Sequence, residues 1–286
     1  MASLSVRLHP VHFTPDATTP KALRWDSAPS TRKERMRALT KEASGSLGDC
    51  HGDANLPEHR LLRSSRAVVV RCPDSDDIRL PMLLMEVGWA TKDDTSIIAV
   101  SRPMGIEQDA MVSQVWLLVT DGGLDGLYVI LDMLSEGGAV RSDFEDHFEV
   151  PKKPFATGGM ACVYKVHQVN GKHGMAFAAK VLPAGQPSRA ADADMEAELL
   201  FRAQGHPNVV GLRGIFFCYS SSGEEHGPFT PPQARQVLLM DLCSNGCIAS
   251  RVERHGTYVE AEALEITHGV LSALAHIHGR GIVHRD

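Results

Sequence analysis

The chain has 286 residues, of which 43% are hydrophobic and 22% charged, and its formal net charge is −6. This composition is typical of a globular protein with a hydrophobic core and excludes a fibrous or wholly disordered chain. No apolar run reaches the roughly 18 residues of a membrane-spanning helix, and the start, MASLSVRLHP, lacks the apolar stretch of a secretory signal. The negative charge, with no long basic run beyond Arg32 to Arg37, argues against a nucleic-acid partner.

The cysteines are scattered along the chain and do not form a recognisable disulfide framework. Their positions are Cys50, Cys72, Cys162, Cys218, Cys243 and Cys247. This distribution fits free thiols in a reducing compartment, so it predicts a cytoplasmic protein with the nucleus as the alternative. Cys243 and Cys247, together with the histidines near the C-terminus, lack the spacing of a structural zinc site, so no metal ligand is predicted.

The first half of the chain predicts an extension followed by a small α/β region. Residues 1–60 are rich in Pro, Ser, Thr and charged residues, which predicts a disordered N-terminal extension. Residues 61–141 contain the short apolar runs AVVVRC, PMLLMEV, TSIIAV and QVWLLV between breaker residues, which predict strands, followed by a helix over Leu124 to Ser135. The charged segment Ser142 to Pro154 predicts a domain boundary. No motif in this half indicates a chemistry, and its role is left unknown.

The second half opens on a predicted hairpin and a lysine. FATGGMACVYKV, from Phe155 to Val166, has two apolar ends joined by glycines, which predicts two strands and a tight turn. FAAKVL alternates in a way that predicts a further strand carrying Lys180. A glycine-containing loop lets backbone N–H groups approach phosphates, and a lysine can meet their charge. A surface hairpin with a solvated lysine is the alternative. The Walker A, Rossmann and nucleophile-elbow motifs are absent from the sequence.

The remaining patterns predict two helices, one strand and a terminal tripeptide. Good helix formers run from Ala190 to Ala203 and include Glu196, before the turn GHPN. QVLLMDLCSNG predicts an apolar strand that enters a polar linker. EALEITHGVLSALAHIH predicts an amphipathic helix, and IVHRD closes the chain. The residues predicted to share the core-facing side of this helix are Leu264, Leu271, Leu274 and His278.

In this order, the motifs resemble the eukaryotic protein kinase family: a glycine-rich loop, a strand lysine, a helix glutamate, an HPN turn, a hinge and HRD. The resemblance covers about Phe148 to Asp286. It implies an α+β fold for residues 148–286, in which an antiparallel sheet and the family's helix C form an N-lobe, followed by a hinge and the first helices of an incomplete C-lobe. It also implies a protein kinase domain that is truncated at the HRD motif.

The resemblance assigns roles to individual residues. Lys180 corresponds to the lysine that holds the α- and β-phosphates of ATP, and Glu196 to its ion-pair partner, preferred over Glu198. Asp286 corresponds to the HRD aspartate that orients the substrate hydroxyl. The remaining residues predicted to contact the nucleotide belong to the loop, the strands or the hinge: Ala156, Thr157, Gly158, Gly159, Met160, Ala161, Val163, Ala178, Met240 as the gatekeeper, Asp241 and Cys243.

The loop departs from the family pattern G-x-G-x-x-G-x-V. Ala156 and Ala161 stand where the first and third glycines are usual. This A-x-G-G-x-A loop and the hinge LLMDLC are similar to those of the Numb-associated, or adaptor-associated, kinases. Because a methyl group at Ala161 leaves the backbone N–H groups in place, we expect the loop to keep its contacts with phosphate.

The resemblance implies a protein serine/threonine kinase that uses ATP and Mg²⁺ and acts on protein substrates. The family's magnesium ligands follow the HRD motif, so we expect this chain to be inactive on its own. The alternative is a non-catalytic, pseudokinase-like module that binds nucleotide or partner proteins. The sequence specifies neither the substrate nor the oligomeric state.

Overall fold

The computed structural model describes a set of segments that includes most of the second half of the chain. These are residues 4–11, 59–64, 67–71, 78–80, 82–92, 95–101, 115–120, 123–159, 161–169, 175–183, 187–219 and 234–285. The chain divides into two compact units. The first consists of Met1–Phe144, Gly214–Glu225 and Phe229–Arg235, and the second of Glu145–Arg213, His226–Pro228 and Gln236–Asp286. None of the described helices is long and apolar enough to cross a membrane.

The first unit is built on a mixed sheet. Its elements are β1 (Leu4–Val11), β2 (His59–Ser64), β3 (Ala67–Arg71), β4 (Ile78–Leu80), β5 (Glu86–Lys92), β6 (Thr95–Ser101), β7 (Val115–Thr120), α1 (Gly123–Glu136) and β8 (Val140–Arg141). The strand order is β4-β3-β2-β1-β7-β6-β5-β8. Neighbouring strands are antiparallel except that β5 and β8 are parallel.

Helix α1 packs on β6 and β7 and supplies much of the core of this unit. Its buried leucines and isoleucine recur every three or four residues, which is the spacing of one helix face. The predicted helix over Leu124 to Ser135 is confirmed, with one further residue at each end. The buried cluster consists of Met82, Val87, Ile98, Val100, Leu127, Ile130, Leu131, Leu134 and Ala139.

The sequence did not predict strand β1. Leu4–Val11 lies within the segment expected to be a disordered extension, yet it forms a strand that pairs with both β2 and β7. Residues 1–3 and 12–58 of that segment lie outside the described residues. The run PMLLMEV also differs from expectation because Leu84 has a left-handed φ of 59°. A turn therefore precedes β5, which begins only at Glu86.

The region that resembles a kinase lies mostly in the second unit. The elements that follow β8 in the chain are α2 (Phe144–His147), β9 (Phe148–Glu149), β10 (Ala156–Thr157), β11 (Cys162–Gln168), β12 (Ala176–Pro183), α3 (Pro187–Ala203), β13 (Leu212–Tyr219), β14 (Ala234–Asp241), α4 (Ile248–His255) and α5 (Glu260–His278). Strand β11 pairs antiparallel with β9, β10 and β12, and β14 lies next to β12. The α+β prediction for this region is confirmed.

The division between the units does not follow the sequence pattern everywhere. The predicted boundary segment Ser142 to Pro154 contains the passage from Phe144 to Glu145, where the first unit gives way to the second. Most of β13, however, belongs to the first unit, because Ile215 pairs in parallel with Val140 of β8. Short-range sequence patterns carry no information about such a pairing between distant segments.

A second apolar cluster joins the C-terminal ends of α3 and α5. Its buried members are Ala203, Ile277 and Ile282, and Leu199, Val209 and Leu274 pack against them. The predicted core-facing side of α5 is therefore only partly correct. Leu264 and Leu271 are 62% and 59% exposed, whereas Leu274 joins the cluster.

Candidate functional site

Strand β12 places Lys180 on the opposite face of the sheet from its neighbours in sequence. Ala179 and Val181 are buried, and Lys180 is partly exposed. In the antiparallel register, Lys180 lies opposite Val163 of β11, which itself lies opposite Ala156 of β10. Directly opposite residues in antiparallel strands share a face. The strands thus align two predicted loop residues with the lysine on one face.

Helix α3 supplies the partner of Lys180. Lys180 Nζ donates a hydrogen bond to Glu196 Oε1 in an ion pair whose side chains are 30% and 37% exposed. Glu198 instead pairs with Arg202 one turn further along the helix, at 3.7 Å. A pair this exposed contributes little to folding stability, on the order of 1 kcal/mol or less. Its effect is to hold the lysine in one orientation while part of the ammonium group stays open to an anion.

The hairpin above this face ends in an open turn. Gly158 N–H donates to Ala161 C=O at 2.9 Å, and Phe155 N–H donates to Val163 C=O at 2.7 Å. A methyl group added at Gly159 would meet no atom within 4 Å, and one at Gly158 would lie 3.6 Å from Ala161 C=O. Packing within the described residues does not require these glycines, so their bare backbone is accessible to a ligand.

The hinge begins at the end of β14. Asp241 N–H donates to Gly211 C=O at 2.9 Å, and the Asp241 carboxylate accepts from Arg213 Nε at 2.6 Å and from Arg213 Nη2 at 2.8 Å. The hydrogen bond that Arg213 donates to the Asp241 carboxylate raises the pKa of Arg213. Met240 is partly buried and Cys243 exposed. The Asp241 side chain is thus occupied, which leaves backbone groups as its means of contact with a ligand.

The sequence analysis missed the two partners of Asp241. A methyl group at Gly211 would lie 2.3 Å from Asp241 Oδ2, so the glycine makes room for the carboxylate. Arg213 neutralises that carboxylate through both of its oxygens. The signal available in the sequence was the alternation of Gly211, Leu212 and Arg213 at the start of a strand, but it does not specify the partner.

The HPN turn forms a polar contact with α5. Asn208 Nδ2 donates to Gly269 C=O at 3.1 Å, and Asn208 N–H donates to His206 Nδ1 at 3.1 Å. His206 Nε2 lies 3.0 Å from Ser272 Oγ, and the rings of His206 and His276 lie 4.9 Å apart. This turn follows α3, so these contacts help to fix the end of the helix that carries Glu196.

The remaining predicted site residues lie in β10, in β12 or outside the described residues. Ala178 is buried two residues before Lys180, and Thr157 is exposed in β10. Met160 and Asp286 lie outside the described residues. Within the described ranges, no three His, Cys, Asp or Glu side chains are grouped so that they could hold a metal ion.

Comparisons with known proteins agree with this geometry. Residues 151–286 match the family model described as the protein kinase domain. This part of the chain has a protein-kinase-like fold. We refer to residues 151–286 as the kinase-like segment. It accounts for slightly less than half of the chain and does not include strands β1 to β8.

The curated relatives of the chain are kinases. Calcium-dependent protein kinase 5 of Plasmodium berghei (strain Anka) is 26% identical over 146 residues, which are 51% of this chain and 23% of the relative. The Death-associated protein kinase related protein of Drosophila melanogaster is 28% identical over 147 residues, which are 50% of this chain and 19% of the relative. The matches thus span about a quarter or less of these relatives.

Two further matches have lower coverage or similarity. Serine/threonine-protein kinase PEPKR2 of Arabidopsis thaliana is 30% identical over 115 residues, which are 40% of this chain and 21% of the relative. The crystal structure of Rad53 1-466 in complex with AMP-PNP has a TM-score of 0.39 and 16% identity, and the alignment covers 80% of this chain and 52% of that one. At this TM-score the likeness supports nothing further.

Proposed function

We propose that the kinase-like segment binds ATP as part of a protein serine/threonine kinase, which transfers the γ-phosphoryl group to a protein hydroxyl. The observation that carries this proposal is the Lys180–Glu196 ion pair on the sheet face shared with the glycine-containing hairpin. Phosphoryl transfer depends mainly on positioning and charge neutralisation. A lysine held by a glutamate under an open backbone turn supplies both.

The proposal gives a role to the main groups of predicted site residues. Lys180 meets the phosphate charge, and Glu196 keeps it oriented. The backbone of Gly158 and Gly159 approaches the phosphates, and the backbone from Asp241 to Cys243 contacts the adenine. Asp286 orients the accepting hydroxyl. Mg²⁺, when bound with the nucleotide, neutralises phosphate charge, and we assign it no ligand among the described residues.

Nucleotide binding tests the proposal directly. The full chain is titrated with the fluorescent analogue mant-ATP, in its native form and as Lys180→Met. Losing a hydrogen bond to a charged group costs about 1.5–3 kcal/mol, so we expect roughly ten- to hundredfold weaker binding for the variant. Lys165→Met is the matched control, because Lys165 is exposed on the same face, two positions along the neighbouring strand. Equal affinities of Lys180→Met and the native chain would refute the proposal.

A second candidate function is nucleotide binding without transfer. It is favoured by Ala156 and Ala161, whose methyl groups occupy positions where the family has glycines. The two candidates separate when mant-ATP binding is compared with incorporation of radioactive phosphate into a generic protein substrate. Binding with Lys180-dependent incorporation supports the kinase, and binding without incorporation supports the non-catalytic module.

The finer predictions are also retained as proposals. The hinge and loop residues support the Numb-associated subfamily, and the name of the Arabidopsis relative supports serine/threonine specificity. A peptide array that presents Ser, Thr and Tyr acceptors would test the specificity. Free Cys162, Cys243 and Cys247 support a reducing compartment. Imaging of the tagged chain outside the cytoplasm and nucleus would contradict this localisation.

A further inference from the structure

Helix α3 is held firmly at its C-terminal end. Ala203 is buried in the apolar cluster with Ile277, and its carbonyl oxygen lies 3.0 Å from His276 Nε2. Just past the helix, Gln204 Nε2 donates to the carbonyl groups of Leu200 and Val210 at 3.0 Å each, and Gln204 Oε1 accepts from Leu212 N–H at 2.8 Å. Apolar packing and satisfied backbone groups therefore fix this end.

The preceding part of α3 has less apolar packing. Between Ser188 and Leu199, the fully buried side chains are Ala193 and Ala197, 2% and 0% exposed, within the residues whose side chains are described. Alanine methyl groups bury little apolar area, so they contribute little adhesion to the sheet. They do, however, let the helix backbone come close to it. Glu196 lies in this weakly held part.

Gln236 of β14 reaches this backbone. Its Nε2 donates to Ala193 C=O at 3.3 Å, and its side chain is 2% exposed. Among the described residues of the second unit, it is the only buried side chain with an amide or a charged group, and the next strand residues, Val237 and Leu238, are fully buried. A buried amide is costly unless it is hydrogen-bonded. The bond with α3 satisfies one N–H of the amide, one turn before Glu196.

We propose that Gln236 is a positioning residue for the Lys180–Glu196 ion pair, acting through the backbone of α3. It holds the weakly packed part of the helix on the sheet, so that Glu196 stays within reach of Lys180. The inference deepens the proposed nucleotide-binding function and rests on it. The contact itself can be tested without nucleotide.

Hydrogen exchange followed by mass spectrometry tests the contact. Gln236→Met preserves length and approximate volume but removes the donor. The net contribution of one hydrogen bond to stability predicts roughly three- to tenfold faster exchange in peptides that report on residues 193–199. Peptides from the C-terminal anchor around Ala203 are expected to keep their rates. A uniform acceleration over the whole helix, or no change, would overturn the proposal, because either result means that Gln236 does not hold this part selectively.

A double-mutant cycle on mant-ATP affinity tests the link to the ion pair. In the native background, Gln236→Met is expected to weaken binding about threefold. In a Glu196→Gln background, where the ion pair is already lost, it is expected to have no further effect. Equal losses in both backgrounds would refute positioning through Glu196. If the native chain binds no mant-ATP, the proposed function fails, and hydrogen exchange still decides whether Gln236 holds the helix.

Discussion

Replacing Ile277 by alanine tests whether the cluster at the ends of α3 and α5 anchors the second unit. Ile277 is 7% exposed and packs with Ala203 and Ile282. The substitution removes an ethyl and a methyl group, which at roughly 0.8 kcal/mol per carbon is about 2.4 kcal/mol of transfer free energy. The cavity left behind adds about 1 kcal/mol, and the better helix propensity of alanine returns about 0.4 kcal/mol. We expect a net loss of about 3 kcal/mol.

The assay must report on this unit alone, because a chain with two compact units need not unfold in one transition. Hydrogen exchange measured on peptides from α3 and α5 meets this requirement, and about 3 kcal/mol corresponds to exchange that is faster by roughly a hundredfold. Val270→Ala is the control, because Val270 lies on the same helix and is 49% exposed. If Ile277→Ala stays within about threefold of this control, the cluster is not the anchor that we describe.

Two further predictions concern a thiol and a glycine. Cys247 caps α4 and accepts from Ser250 N–H at 3.4 Å, and the bonds with Ser250 lower its pKa. Ser250→Ala removes the hydroxyl contact with Cys247 but keeps the backbone N–H bond, so alkylation of Cys247 by iodoacetamide should remain fast at a lower pH in the native chain than in Ser250→Ala. Identical pH profiles for the two chains would contradict this effect of the Ser250 hydroxyl. In Gly137→Ala, the new methyl carbon would lie 2.8 Å from the buried Met82 Cβ. We expect this substitution to lower the free energy of unfolding of the first unit by about 1–3 kcal/mol. An unchanged midpoint temperature in thermal unfolding would contradict the close packing of Gly137 on Met82.

The predicted elements that the structure reproduces are those with strong local patterns. The buried positions of α1 repeat with helical spacing, and Lys180 lies between the buried apolar residues Ala179 and Val181 of a β-strand. In β1 an alternation was also present, at Leu4, Val6 and Leu8, but it is short and Pro10 interrupts it. Its partner β7 lies about a hundred residues further along the chain, and no local pattern specifies such a pairing.

The candidate site, like the fold, was predicted only in part from the sequence. The family resemblance alone predicted that Lys180 and Glu196 form an ion pair, because it rests on the order and spacing of motifs. The bonds from Arg213 to Asp241 and from Gln236 to Ala193 could not be predicted in the same way. Each depends on how one strand is aligned with a neighbouring segment, and a polar residue inside a strand gives no indication of its partner.

The contacts of α3 indicate how a bound nucleotide would change the interactions that hold this helix. Its C-terminal end is fixed by apolar packing around Ala203, whereas the Lys180–Glu196 ion pair and the hydrogen bond from Gln236 contribute to holding the part near Glu196. Phosphate groups that approach Lys180 compete with Glu196 for the same ammonium group. This competition weakens the ion pair, so the ion pair contributes less to holding the helix. The hydrogen bond from Gln236 involves no atom of Lys180, so it is unaffected by this competition. It would therefore keep Glu196 in place when the ion pair is most weakened.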